Sequence, residues 1–173
     1  GPGIGKHTKT KAAFVTFLRR YTGGPLVIDA DGINLLAGDS ELIELLPKGS
    51  ILTPHPREFE RLVGAWTHDF EKLEKLRFFC QKYQLNMVVK GAFSAICDTS
   101  GDVHFNSTGN PGMATGGSGD VLFGIICGLL ARGLQPIEAL KLSVYLHGLT
   151  GDLAKNDFGE ESLIAGDLIH YLP

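Results

Sequence analysis

The chain is poor in cysteine: only Cys80, Cys97 and Cys127 occur in 173 residues, with no CxxC pair. That excludes a disulfide scaffold and a cysteine-built zinc centre, and the three read as buried reduced thiols of a cytoplasmic protein. Its six histidines show neither HxH nor HExxH spacing, which removes the common metalloenzyme signatures. No apolar run reaches the ~18 residues of a membrane span. The most apolar stretch, 121–134, is cut by Gly124, Gly128 and Gly133 and reads as a buried helix. The opening GPGIGKHTKTK lacks the apolar core of a secretion signal. Net charge is -3 and no basic run or basic–aromatic stripe appears, so neither nucleic acid nor a membrane surface is an expected partner. Two nucleotide fingerprints are missing as well. Gly119 is followed by Asp120 and Val121 instead of the Lys-Ser/Thr of a P-loop, and Gly3-Ile4-Gly5 is followed by Lys6-His7-Thr8 instead of completing GxGxxG.

What remains is an ordinary globular composition, 43% hydrophobic and 20% charged, long enough for one domain with a real core. Strand-like and helix-like segments alternate, the order of an α/β layer fold. Helices are expected over 9–21, 41–46 (capped by Ser40), 56–63, 69–83, 117–131, 136–154 and 163–171. Strands are expected over 25–30, 50–53 and 86–90, with 94–97 and 103–106 paired through the turn at Ser100-Gly101-Asp102. The chain opens on a glycine loop with no strand before it, whereas such loops normally follow one. The expectation is therefore a start inside a larger domain, with early strands missing.

The segment 110–122, NPGMATGGSGDVL, carries the strongest chemical signal. Glycines allow positive φ and close backbone approach. A helix start leaves N–H groups unpaired at its positive end, which makes an anion cradle. Asp120 beside it could be a simple cap, but a cap needs no glycine run. A phosphoryl group held by the Gly116 to Gly119 amides, with Asp120 accepting a proton from the attacking hydroxyl, accounts for both features. Three further places lie at strand ends, where α/β folds bind ligands. Lys90-Gly91 can reach a nucleotide phosphate, although a surface lysine is the plainer reading. Thr53-Pro54-His55-Pro56 holds a histidine in a stiff turn, with a structural role and substrate contact in balance; Glu58 nearby fits a cap equally well. Asp29 and Asp31 can hold Mg²⁺ or cap a helix, with Asn34 on the same edge. No metal ligand is assigned. His147, in an apolar helix, reads as a satisfied core histidine.

Taken together, VIDADGINLLA, ILTPHPREFERL, VVKGAFS and NSTGNPGMATGGSGDVL resemble, in this order, the ADP/ATP-dependent NAD(P)H-hydrate dehydratases of the ribokinase-like superfamily. The glycine–aspartate motif is shared with many ribokinase-like kinases; TPHP together with NPGMA is the specific part. The resemblance implies a three-layer α/β/α sandwich with a mostly parallel central sheet, lacking its amino-terminal part. It implies ADP or ATP with Mg²⁺, and dehydration of hydrated NADH or NADPH by phosphorylating the ring hydroxyl and eliminating phosphate. Asp120 is then the catalytic base. The nucleotide site falls on Lys90, Gly91, Ala92, Phe93 and Ser94, and on Asn110, Pro111, Gly112, Met113, Ala114, Thr115, Gly116, Gly117, Ser118 and Gly119. Gly3, Gly5, Asp31, Asn34, His55 and Asp120 face the hydrated nicotinamide. A homo-oligomer and an upstream fused NAD(P)H-hydrate epimerase domain are further implications. Arg57 and Gly32 depart from the family's usual glycine and alanine, and 93–94 is a variable place. A small-molecule kinase of the hydroxymethylpyrimidine or hydroxyethylthiazole type is the alternative reading.

Overall fold

The computed structural model describes residues 1–172. One five-stranded sheet runs in the order β1 (Val27–Ile28), β2 (Ile51–Leu52), β3 (Asn86–Val89), β4 (Ala95–Cys97), β5 (Val103–Phe105). The first three strands are parallel, and β4 and β5 return antiparallel. Around it lie α1 (Thr8–Arg20), α2 (Asp31–Leu36), α3 (Ser40–Glu44), α4 (Pro56–Val63), α5 (Asp69–Tyr83), α6 (Ser118–Ala131), α7 (Pro136–Ser162) and α8 (Ala165–His170).

The period-two alternation of the strands sorts the core into two layers. Leu52, Met87, Val89 and Cys97 pack with residues of α1 to α5, among them Leu18, Ile33, Phe59, Leu76 and Phe79. Ile51, Val88 and Ile96 face the other way, onto Leu122 and Ile126 of α6 and Leu140 and Val144 of α7. This is a three-layer α/β/α sandwich, as the sequence led one to expect. Each central strand is buried on both faces, so it reads as an unbroken apolar run. A smaller cluster of Ala154, Leu163 and Leu168, with Met113 and Val121 against it, lies at the beginning of α6. All three cysteines are free thiols: Cys80 and Cys97 are buried, and Cys127 is half-buried.

Local chemistry sets the element ends. Pro56 opens α4, where it forfeits no hydrogen bond. Gln84 closes α5 in the left-handed region at φ 54. Three expectations need correction. The cap of α3 is Asp39, whose carboxylate accepts from the Leu42 N–H at 3.2 Å, and Ser40 is the first helical residue. The strand expected over 25–30 shrinks to Val27–Ile28: the Leu26 N–H donates to Ser50 Oγ at 3.0 Å, and Ala30 turns the chain at φ 48. Helix α7 runs beyond Ala154 to Ser162 and breaks its regular geometry at Gly159, φ 72.

Candidate active site

The carboxyl ends of β1, β2 and β3 come together at one edge, tied by the Thr53 N–H to Ile28 O at 3.2 Å and the Lys90 N–H to Pro54 O at 2.9 Å. The glycine turn reaches this edge from the opposite layer. Gly117 precedes α6 with φ 89, and a Cβ there would come within 3.1 Å of the Ala165 Cβ. The Asp120 and Val121 N–H groups donate back to Gly117 O at 3.0 and 3.1 Å. Among the described residues, the N–H groups of Thr115, Gly116, Gly117 and Gly119 find no acceptor. Nor does any hydrogen bond or ion pair among them engage the exposed Asp120 carboxylate. Asp120 opens onto a shallow apolar groove of about 430 Å³ formed with Val121, Gly124, Ile125, Ile169 and Leu172. A larger hollow of about 730 Å³ runs along α1 and holds no carboxylate.

Two side chains from separate layers support the turn. Lys90 does not extend into solvent: its Nζ lies 3.1 Å from Oδ1 of buried Asp29, and a Cβ on Gly119 would sit 3.4 Å from that Nζ. From α7, His147 Nε2 lies 2.9 Å from Ser118 O and 3.2 Å from Ser118 Oγ. Bonding to a carbonyl oxygen requires the proton on that nitrogen. Burial pushes the His147 imidazole below its ordinary pKa, while the bond to Ser118 opposes the shift and the Lys90 charge adds to it. His147 is therefore a satisfied histidine as read, but what it satisfies is the first residue of α6.

The loop ahead of the turn is anchored by Asp152, a residue outside every motif of the sequence. Asp152 accepts from the Gly109 N–H at 2.8 Å and from Asn110 Nδ2 at 3.1 Å. Asn110 Oδ1 in turn accepts from the Gly112 N–H at 3.1 Å, capping a short 3₁₀ turn over Pro111–Met113. Gly148 and Gly151 let this loop lie against α7: a Cβ on Gly148 would stand 2.7 Å from the Thr108 carbonyl carbon, and one on Gly151 2.6 Å from Met113 Cγ. The available signal was HGLTGD, two glycines inside an otherwise helical stretch. Ala114 caps that turn through its N–H to Pro111 O.

The substrate-side candidates are also gathered, but their polar atoms are occupied. The Gly5 N–H donates to Asp31 Oδ2 at 2.9 Å, and Gly3 and Gly5 both have positive φ. Asn34 Oδ1 accepts from Arg61 at 2.7 Å. His55 Nδ1 accepts from the Arg57 and Glu58 N–H groups, its own N–H donates to Glu58 Oε2 at 2.9 Å, and its Nε2 lies 3.4 Å from Glu58 Oε1. That is a complete capping box with Glu58 buried. After β3, Gly91, Ala92, Phe93 and Ser94 form a tight turn: Ser94 Oγ donates to Gly91 O at 3.0 Å, and exposed Phe93 has φ 55. No group of three acidic, histidine or cysteine side chains suited to a metal ion occurs among the described residues. The Mg²⁺ reading of Asp29 and Asp31 does not fit, because Lys90 and the Ala30 N–H claim the first and the Gly5 N–H claims the second. None of the helices among the described residues is long and apolar enough to cross a membrane.

A sheet whose first three strands are parallel, set between helix layers, with a glycine turn and a free carboxylate at a helix start, defines a ribokinase-like α/β protein. A structure described as a ribokinase-like superfamily protein from Enterococcus faecalis superposes with TM-score 0.86 at 32% identity, over 100% of this chain and 60% of that one. The family model of the NAD(P)H-hydrate dehydratases matches residues 1–173, and the chain belongs to that family. A bifunctional NAD(P)H-hydrate repair enzyme of Moorella thermoacetica is 41% identical over 100% of this chain and 33% of its own length. The Bacillus subtilis ADP/ATP-dependent NAD(P)H-hydrate dehydratase, co-crystallised with ATP and Mg²⁺, matches with TM-score 0.74 and 34% identity over 86% of this chain and 53% of that one. The chain thus spans a third of the first relative and little more than half of the two solved chains.

Proposed function

We propose that this chain carries the catalytic part of a nucleotide-dependent dehydration that returns hydrated NADH or NADPH to NADH or NADPH. One observation carries the reading: the Asp120 carboxylate stands free beside the unpaired N–H groups of Gly116, Gly117 and Gly119. ADP or ATP, bound with Mg²⁺, supplies the phosphoryl group that turns the ring hydroxyl into a good leaving group. Asp120 accepts the proton of that hydroxyl as its oxygen bonds to the terminal phosphorus, and the bond from that phosphorus to the rest of the nucleotide breaks, releasing AMP from ADP or ADP from ATP. The glycine-turn amides stabilise the charge on the phosphoryl oxygens through the transfer. The C–O bond to the ring then breaks and phosphate departs, and the neighbouring ring carbon gives up a proton to solvent so that the ring double bond re-forms. Because Asp29 and Asp31 are engaged, Mg²⁺ would be held mainly by the nucleotide's phosphates, whose charge it would offset during the transfer. Asn110 to Ala114, Thr115 and Ser118 shape the nucleotide side of the turn, and Lys90 to Ser94 border it. Gly3, Gly5, Asp31, Asn34 and His55 form the substrate side by their common position at the sheet edge. A homo-oligomer and an upstream epimerase domain belong to the same proposal.

Incubation with hydrated NADH, ADP or ATP and Mg²⁺, followed at the reduced-nicotinamide absorbance band, tests it. Recovery of NADH that is lost in Asp120→Asn supports the dehydratase; a product that keeps its phosphate supports a small-molecule kinase on the same residues.

A further inference from the structure

We propose that Asp29 is a positioning residue for phosphoryl transfer: its buried carboxylate holds the Lys90 ammonium against the Gly119 side of the glycine turn. The inference rests on the reading that this turn receives a nucleotide phosphate. Asp29 directly follows β1 and is 2% exposed, while Lys90 directly follows β3, so two strands of the sheet deliver the pair to one point. The carboxylate is oriented before the lysine meets it, because Oδ1 also accepts the Ala30 N–H at 2.8 Å. Ala30 supplies that N–H from φ 48, a region side chains other than glycine rarely occupy. Strain of this kind persists where the surroundings enforce it, and it gathers at functional sites.

The glycine at 119 completes the geometry. A Cβ there would lie 3.4 Å from Lys90 Nζ and 4.0 Å from Asp29 Oδ2, so a side chain at 119 would crowd the ion pair where it meets the turn. Besides the Asp120 carboxylate, the ionisable group beside the turn is His147 on α7, whose pKa burial lowers, so it adds no competing positive charge near neutral pH. Buried ion pairs add little net stability over apolar replacements. A pair built under a phosphate-binding turn has a clearer use in aiming a cation at the charge that develops on the transferring group.

The test is a double-mutant cycle on nucleotide binding and turnover. Wild type, Asp29→Asn, Lys90→Met and the double variant are titrated with ADP and ATP in the presence of Mg²⁺. Each single change is expected to weaken binding about tenfold or more, with the double variant within about twofold of Lys90→Met alone. The nucleotide KM is expected to rise while the KM for hydrated NADH stays put, a split that general loosening of the fold does not produce. Additive losses, or Asp29→Asn at wild-type affinity beside a damaged Lys90→Met, overturn the inference. Absence of nucleotide binding in wild type overturns instead the reading on which it rests. Where Asp29→Asn does not fold, Asp29→Glu carries the test: it keeps the charge but displaces it by one methylene. Weakened binding in that folded variant is expected, and unchanged binding overturns the proposal.

Discussion

Two corners at the same sheet edge treat their polar groups in opposite ways. After β2, the imidazole, main-chain N–H and carboxylate of His55 and Glu58 close on one another in a capping box. At the start of α6, four N–H groups from Thr115 to Gly119 and the carboxylate of Asp120 are left without partners among the described residues. Both follow from the need to satisfy helix starts. A corner whose donors are all satisfied by the chain itself contributes rigidity; one whose donors stay open is prepared for a ligand. On the proposed reading, the TPHP turn is a fixed wall and the glycine turn is where the phosphoryl group is held.

The largest effect is expected at the open corner. Asp120→Asn removes a base that has no structural partner, so turnover falls by about two orders of magnitude or more while the melting temperature stays near wild type. A matching loss of stability would break the contrast, because it would show the carboxylate doing structural work. Next comes the anchor of that corner. Asp152→Ala deletes the acceptor for Gly109 and Asn110, leaving two donors of the loop unpaired. Denaturant unfolding is expected to show a loss of about 1–3 kcal/mol, and nucleotide affinity should drop with it. Retained affinity would mean the loop is held by its packing on Gly148 and Gly151 alone.

At the closed corner, His55→Ala removes a cap and costs about 1 kcal/mol of stability. Asn is itself a strong cap, so His55→Asn restores stability. A KM for hydrated NADH that stays high in His55→Asn then reports contact between the imidazole and substrate. A KM that recovers along with stability assigns the histidine to the wall only.

How far the sequence disclosed this arrangement follows the range of each interaction. Helix α4, with Pro56 first and Glu58 reaching back to His55, and α5 are legible to the residue, because their signals lie within a turn. The β4–β5 hairpin was legible from its short turn. The glycine turn and Asp120 stand out as a motif, and the structure shows the same residues open. The Lys90–Asp29 pair spans 61 positions and the Asp152 anchor more than 40, and neither leaves a local pattern. The sequence reads the two separately, Lys90 as a phosphate contact or a surface lysine and Asp29 as a Mg²⁺ ligand or a helix cap, and nothing in it pairs them. The end of α7 was hidden because KNDFGEES lacks apolar periodicity, although residues 155–158 continue the helix to the break at Gly159. The strained turn at Ala30 is set by the buried carboxylate before it, which no propensity of alanine reports.

The smallest effect separates the two corners by pH. His147 bonds to Ser118, and its burial lowers the imidazole pKa from the ordinary 6.5. The unfolded chain then binds this proton more readily than the folded one. The stabilising contribution is full above pH 6.5 and is lost as pH falls below it toward the folded pKa. Unfolding curves taken from pH 8 down to 5 are expected to show this slope in wild type and a shallower one in His147→Gln, whose amide can still donate to the Ser118 carbonyl. Protonation also places a second positive charge near Lys90, so nucleotide affinity should change over the same interval in wild type and less in the variant. An unaltered slope in His147→Gln would move the titration to another group and leave the open turn without its neutral support from α7.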